Sequence, residues 1–398
     1  MTQGVPVAIS TARENRFDPP VTVQELRAKE PLTRLRFTDG RLGWLATGYS
    51  TARAVLADPR FGARGESGHP AVPRAITLAE YPATPPGMPA RPGDREHQHY
   101  RKLLAGQFTA RRIRLLTEWT EKATAEHLDA MEREGSPADL LAHYALPLSA
   151  RLICELLGVP HADRERFRHD AALWSGHGAS AEEITGAFAS LGAYLHRLVE
   201  LKRARPADDV LSGLIAADPA LTDDELTALA FLLLLAGHES TAHQLGLGVF
   251  ALLDHPAQLA ALRADRSLTE SAAEELLRYL SVVHHGPTRA AREDAEIGGT
   301  TVRAGEVVVV CLAAANRDPQ RFPHPERLDI TRDATGHLAF GHGIHQCLGA
   351  QLARITLRAG LTALLDRLPG LRLAVPAAEV PLRHDAQVHG VHRLPVAW

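Results

Sequence analysis

The 398-residue sequence predicts a mainly α-helical fold with minor β structure, built as one domain over residues 1–398. Three observations carry that expectation. Amphipathic helical spacing recurs over most of the chain, at residues 111–157, 160–205 and 348–368. One stretch, from the capping box Thr222-Asp223-Asp224-Glu225 to Pro256, holds no proline. At ~1.5 Å per residue its roughly 32 residues would reach about 48 Å, enough to cross the whole molecule. Strand signals are short by comparison, and neither a repeat nor a linker divides the chain.

Composition narrows the function classes. Hydrophobic residues make up 45% and charged residues 23%, a soluble globular balance with ample chain for a large core. The net charge of −3 comes without any long basic or acidic block, so no nucleic-acid partner is expected. Cysteine is sparse, at Cys154, Cys311 and Cys347 only, which suits a reducing compartment. Cys154 and Cys311 sit in apolar runs and read as small buried hydrophobes. Residues 1–20 lack a basic region followed by an apolar core, and the longest apolar runs, Ala228–Gly237 and Val307–Ala315, are too short to span a bilayer. A cytoplasmic protein with no membrane contact is expected.

Taken in order, Arg34–Phe37 and Leu42–Ala46 flank Asp39-Gly40, a hairpin signal. Ser50 to Leu56 reads as a short capped helix. Residues 62–93 then hold seven prolines and five glycines, which excludes a regular element. Ile76, Leu78, Tyr81 and Met88 are scattered through that loop, so it can pack on something apolar. A helix follows with His97 and Arg101 four apart on one face. His97 and His99 could also be a metal pair, but no third ligand lies at helical spacing. Residues 111–157 read as helices broken near Gly135-Ser136-Pro137. Pro160 to Trp174 and Ala181 to Arg205 form a helical pair, the second opened by the capping box Ser180-Ala181-Glu182-Glu183.

The central helix is apolar nearly all round from Leu229 to Leu235, so it should be buried. Ala236-Gly237-His238-Glu239-Ser240-Thr241 interrupts it. Polar groups inside a buried helix are costly unless satisfied, and such inconsistency often marks function. Glu274-Glu275-Leu276-Leu277-Arg278 places Glu275 and Arg278 three apart on a helix face. His284 and His285 read equally as turn histidines. From Glu296 the chain turns strand-like, with turns at Gly298-Gly299 and Ala304-Gly305, and residues 375–398 hold short strands.

The densest chemistry lies at Phe340-Gly341-His342-Gly343-Ile344-His345-Gln346-Cys347-Leu348-Gly349. Cys347 lies at or beside a helix N-terminus, whose unpaired N–H groups favour a thiolate, and a thiolate is what binds a metal. Gly341, Gly343 and Gly349 are expected to let backbone approach something flat and large, with Phe340 against its edge.

Phe-x-x-Gly-x-x-x-Cys-x-Gly resembles the haem-ligand loop of the cytochrome P450 family. The interrupted central helix, the Glu-x-x-Arg pair and the Ala315–Asp329 segment resemble that family's motifs in the right order. The resemblance implies the P450 fold, with small sheets around one buried heme b (iron protoporphyrin IX). Cys347 would be the axial ligand, and His97, Arg101, Arg289 and His345 the propionate donors. Glu239 would match the family acid and Ser240 its alcohol, with Thr241 able to share the proton relay. Most relatives have threonine where Ser240 stands. Relatives also usually carry Asp-Pro-Pro upstream of the His97 helix, where this chain has Gly93-Asp94-Arg95. Glu275–Arg278 would be a structural brace. Met88, Trp174, Ala236 and His285 fall where relatives line the substrate pocket.

The reaction implied is insertion of one oxygen atom from O2 into a small hydrophobic molecule, by hydroxylation or epoxidation. A secondary metabolite such as a polyketide, terpene or steroid is the substrate class implied. Electrons would come from a separate ferredoxin and ferredoxin reductase, with Arg101, Lys102, Arg111, Arg112 and Arg114 offering a docking face, and a monomer is expected. A peroxygenase or isomerase needing no redox partner, and a non-catalytic haem sensor, stand as alternatives.

Overall fold

The computed structural model describes residues 7, 13–37, 39–62, 95–174, 180–284, 286–384, 386 and 388–398. The chain starts with α1 (Val21–Lys29) and the expected hairpin, β1 (Leu32–Arg36) against β2 (Leu42–Ala46), turning at Gly40. α2 (Tyr49–Ala57) follows, but nothing on its own first turn caps it. Gly48 has no side chain to offer, and Asp318 accepts the Tyr49 N–H at 2.8 Å instead. β3 (Phe61–Gly62) then leads to residue 62, and the proline-rich loop beyond it lies outside the described residues.

α3 (Arg95–Gly106) carries His97, and α4 (Ala110–Glu134) is capped by Thr109, whose hydroxyl accepts from Arg112 N–H. β4 (Ala138–Asp139) and a π-helical turn over Leu141–Ala145 lead into α5 (Leu146–Leu157). α6 (Arg164–Trp174), α7 (Ala181–Ala204) and α8 (Val210–Ala217) complete this half. The capping boxes at Ser180–Glu183 and Thr222–Glu225 are both formed, with the glutamate accepting the cap residue's N–H at 2.7 Å in each.

Thr222 opens α9 (Asp223–Gly237), which hands over at His238 to α10 (Glu239–Asp254). Every residue from Ala242 to Leu252 is buried. Leu232, Leu233 and Leu235 stay half-buried, so α9 is less enclosed than its composition suggests. α11 (Pro256–Ala264) turns away from this axis by 103°, and α12 (Thr269–Leu280) follows. Among the described residues no single helix is long and apolar enough to cross a membrane.

β5 (Thr288–Ala291), the small hairpin β6 (Ala295–Ile297) with β7 (Thr300–Val302), and β8 (Val307–Val310) come next. The larger sheet has the order β1-β2-β8-β5-β3, with β2 and β8 parallel and Leu45 opposite Val309. α13 (Leu312–Ala315) leads to the irregular segment before Cys347, and α14 (Ala350–Arg367) follows it. β9 (Arg372–Leu373) and β10 (Pro395–Ala397) pair with each other and, through β10, with β4.

Two apolar clusters meet along α9 and α10. Tyr144, Leu148, Leu245, Phe250, Leu357 and Leu361 belong to one, and Leu156, Leu195, Leu229, Phe231 and Leu234 to the other. Burying each such side chain is worth about 1.5–3 kcal/mol, so the path of the central helix is fixed from both sides.

Candidate active site

Two backbone hydrogen bonds shape the cysteine loop. Gly341 N–H donates to Leu338 O and Cys347 N–H donates to Phe340 O, both at 2.8 Å, so the chain folds back to put Cys347 beside Phe340. One glycine of the loop is required by the fold itself. Gly343 has φ +73°, and a Cβ there would lie 2.4 Å from Leu56 O, so α2 itself demands glycine. A Cβ on Gly349 would meet only the Cys347 sulfur at 4.0 Å. Cys347 is solvent-accessible, yet the protein packed around its sulfur pushes the thiol pKa up. The Gly349 N–H, Arg101 and Arg354 pull the other way and lose. The helix N-terminus alone therefore does not hold this sulfur as a thiolate. A metal that displaces the proton would supply what is missing.

The four expected propionate donors converge. His97 on α3 is buried, and its ring lies 4.2 Å from that of His345 in the cysteine loop. Burial pushes the His345 pKa down to about 4, helped by Arg289, His97, Arg101 and Arg292, all cationic or able to become so. Arg292 is an addition the sequence reading missed. His345 Nε2 is buried with no hydrogen-bond partner. Arg289 Nη1 donates to the Thr288 carbonyl at 2.9 Å, and burial lowers its pKa to about 10. Arg101, on α3 with His97, is half-buried, and that burial lowers its pKa. No carboxylate is among the groups that perturb His345. Heme b carries two carboxylates on one edge and an iron that seeks a thiolate. A gathering of basic side chains beside an available cysteine fits that group on both counts.

The break at His238 bends the pattern without abolishing it, because Ala242 N–H still donates to His238 O at 3.2 Å. Hydroxyls satisfy the carbonyls around it. Ser240 Oγ donates to Ala236 O at 2.8 Å, and Ser149 Oγ approaches Gly237 O at 3.2 Å and His238 O at 2.5 Å. His238 itself is buried, with neither ring nitrogen hydrogen-bonded, and burial lowers its pKa to about 4. Ala236 is exposed here, while Ser240 and Thr241 are half-buried.

Glu239 is held by Arg383, whose Nη1 lies 2.5 Å from the carboxylate and 2.6 Å from His243 Nε2. One Nη1 can donate a proton to each, which makes Nε2 the accepting nitrogen of His243. Sequence reasoning missed both partners. A carboxylate inside a buried helix does demand a cation, but no local pattern points 144 positions downstream to Arg383.

Other expectations divide. Glu275 and Arg278 form the buried brace, paired at 2.7 and 2.8 Å. His99 pairs with Asp218 at 2.9 Å rather than with His97, and no three-ligand metal cluster occurs among the described residues. Of the basic residues expected to offer a docking face, Arg111 and Arg112 both bind Asp208. Lys102 and Arg114 remain exposed. Met88 and His285 lie outside the described residues. Trp174 ends α6, with its side chain outside them.

The family model described as "Cytochrome P450" matches residues 195–369. Cytochrome P450 105C1 of Streptomyces sp is 65% identical over 100% of both chains. Pentalenic acid synthase of Streptomyces avermitilis is 43% identical over 99% of this chain and 98% of its own. The crystal structure of CYP105P1 in complex with filipin I superposes with a TM-score of 0.90 at 41% identity, covering 99% of each chain. Likeness of that extent, on this fold and around this cysteine loop, makes the chain a member of the cytochrome P450 family, a monooxygenase whose cofactor is heme b.

Proposed function

We propose that Cys347 would give its sulfur to the haem iron, that His97, Arg101, Arg289 and His345 would hold the propionates, and that residues 1–398 act as one domain. The observation that carries this reading is the gathering of Arg289, His97, Arg101 and Arg292 about the partnerless His345 Nε2, next to an accessible thiol. Bound haem supplies the transfer of one oxygen atom from dioxygen to carbon. The chain's own residues bring protons and keep the site in order. Glu239, paired with Arg383, is the carboxylate that takes up a proton from solvent and hands it on. Ser240 passes it along when its hydroxyl turns from the Ala236 carbonyl, and Thr241 stands one position further on the same helix.

The substrate is read as a hydrophobic secondary metabolite, taken up near Ala236 and the segments around Met88, Trp174 and His285. Relatives named for pentalenic acid and seen with filipin I support that class. Electrons come from a separate ferredoxin and its reductase, and the protein works as a monomer in the cytoplasm. The test is the reduced carbon-monoxide spectrum. Wild type gives the red-shifted thiolate band and Cys347→Ala does not. A thiolate band that survives in Cys347→Ala refutes the ligand assignment.

A further inference from the structure

Glu274, neighbour of the Glu275 brace, ties together the two ends of the cysteine loop. Its Oε1 accepts from Arg354 Nε at 2.6 Å, and its Oε2 accepts from Arg354 Nη2 at 2.9 Å and from His337 Nε2 at 3.2 Å. His337 precedes Cys347 and Arg354 follows it on α14, while Glu274 stands on α12. His337 Nδ1 accepts the Ala339 N–H at 3.1 Å, so Nε2 carries the hydrogen and the imidazole donates to Glu274.

Phe340 lies between the two arms. Its ring centroid is 5.7 Å from that of His337, and the Arg354 guanidinium carbon lies 4.7 Å from the Phe340 centroid. The Phe340 carbonyl is the acceptor for Cys347 N–H. The residue that hangs the cysteine is thus gripped from both sides by groups sharing one carboxylate. The Arg354 guanidinium, carried on Phe340, is thus a fixed positive charge beside the Cys347 loop.

We propose that Glu274, His337 and Arg354 form a clasp of positioning residues that fixes Phe340 and the Cys347 loop, and that the Arg354 charge, balanced by Glu274, sets the potential at which the haem iron accepts an electron. The clasp rests on Cys347 being the iron ligand. Arg354 and Glu274 are partly exposed, so solvent screens their charges and the potential shifts are modest. Their signs are nevertheless fixed. Removing the Arg354 cation favours the oxidised iron, with its higher charge, and lowers the potential. Neutralising Glu274 leaves Arg354 uncompensated and raises it. Simple loosening of the loop has no reason to act in opposite directions at the two ends of one contact.

The experiment is a spectroelectrochemical titration of the substrate-free holoenzyme, with thermal melting on the same samples. Arg354→Gln is expected to lower the midpoint potential and Glu274→Gln to raise it. The double variant returns close to wild type, and Arg354→Lys keeps the potential while melting earlier. Shifts of one sign in both single variants, or none in either, overturn the proposal. If Arg354→Gln does not take up haem, Glu274→Gln and Arg354→Lys decide. A raised potential in the first and an unmoved one in the second support the clasp, and any other pair of results overturns it. The wild-type carbon-monoxide band separates the two readings. Its absence removes the Cys347 assignment, whereas a normal band with unmoved potentials removes only the clasp.

Discussion

Arg278→Met should cost more than any surface substitution, and the reason is countable. Both members of the Glu275–Arg278 pair are fully buried. Arg278 gives two hydrogen bonds to Glu275, and its Nη1 also donates to Asn316 O at 2.8 Å and Pro325 O at 3.0 Å. Removing one partner of a buried pair costs about 3–5 kcal/mol, because the other charge stays behind unneutralised. Arg332 also reaches Glu275, at 3.2 Å, and keeps part of that charge matched. The lower end of the range, roughly 3 kcal/mol, is therefore expected. An unfolding entropy of about 2.1 cal/mol/K per residue over 398 residues gives ~0.8 kcal/mol/K, so the melting midpoint should fall by roughly 4 °C. Arg278→Lys keeps the charge but not the fork, and should lose at least half as much. The damage also travels. Asn316, held through its carbonyl by Arg278, accepts the Leu338 N–H on its side chain at 2.6 Å, and Leu338 begins the cysteine loop. Calorimetry of the haem-loaded protein is the assay, with haem loss to an acceptor protein as a second readout. Midpoints within about 1 °C of wild type for both variants would refute the brace as a stabilising element.

Two further outcomes are expected. Ser240→Ala should release more peroxide per electron pair consumed, measured with a compound that displaces iron-bound water, and unchanged coupling would take Ser240 out of the relay. His238 is buried and neutral, with its pKa lowered from 6.5 to about 4. As pH falls from 6.5 the unfolded chain takes that proton first, so stability is lost between pH 6.5 and about 4 and levels off below. His238→Leu should flatten part of that decline in a series of melts across the range, and an unaltered slope would refute the assignment.

What was legible in the sequence was local. The capping boxes, the hairpin at Gly40, the interruption at residues 236–241 and the Glu275–Arg278 spacing each fit within a few residues, and each formed. The residues proposed as propionate donors were suggested only by the resemblance, since His97, Arg289 and His345 share no segment. What stayed hidden depends on distance along the chain. Arg383 reaches Glu239, Asp318 caps α2, and Glu274 spans to Arg354 across two helices. A side chain chosen by its partner's location leaves no periodic trace. The thiolate expectation was incomplete for a different reason. It weighed the helix end against nothing, whereas packing around the sulfur outweighs it in the folded protein.

The interleaved sheet carries a consequence for biosynthesis. β2 emerges early, but its parallel neighbour β8 lies some 260 residues later, with Leu45 waiting for Val309. At ~5–20 residues per second a ribosome takes on the order of 13–50 s to make up that gap. For that interval the first hairpin offers one bare edge, and α2 lacks its Asp318 cap. The amino-terminal sixty residues must be sheltered by a chaperone or stay loosely collapsed until the other end of the polypeptide arrives to close the sheet.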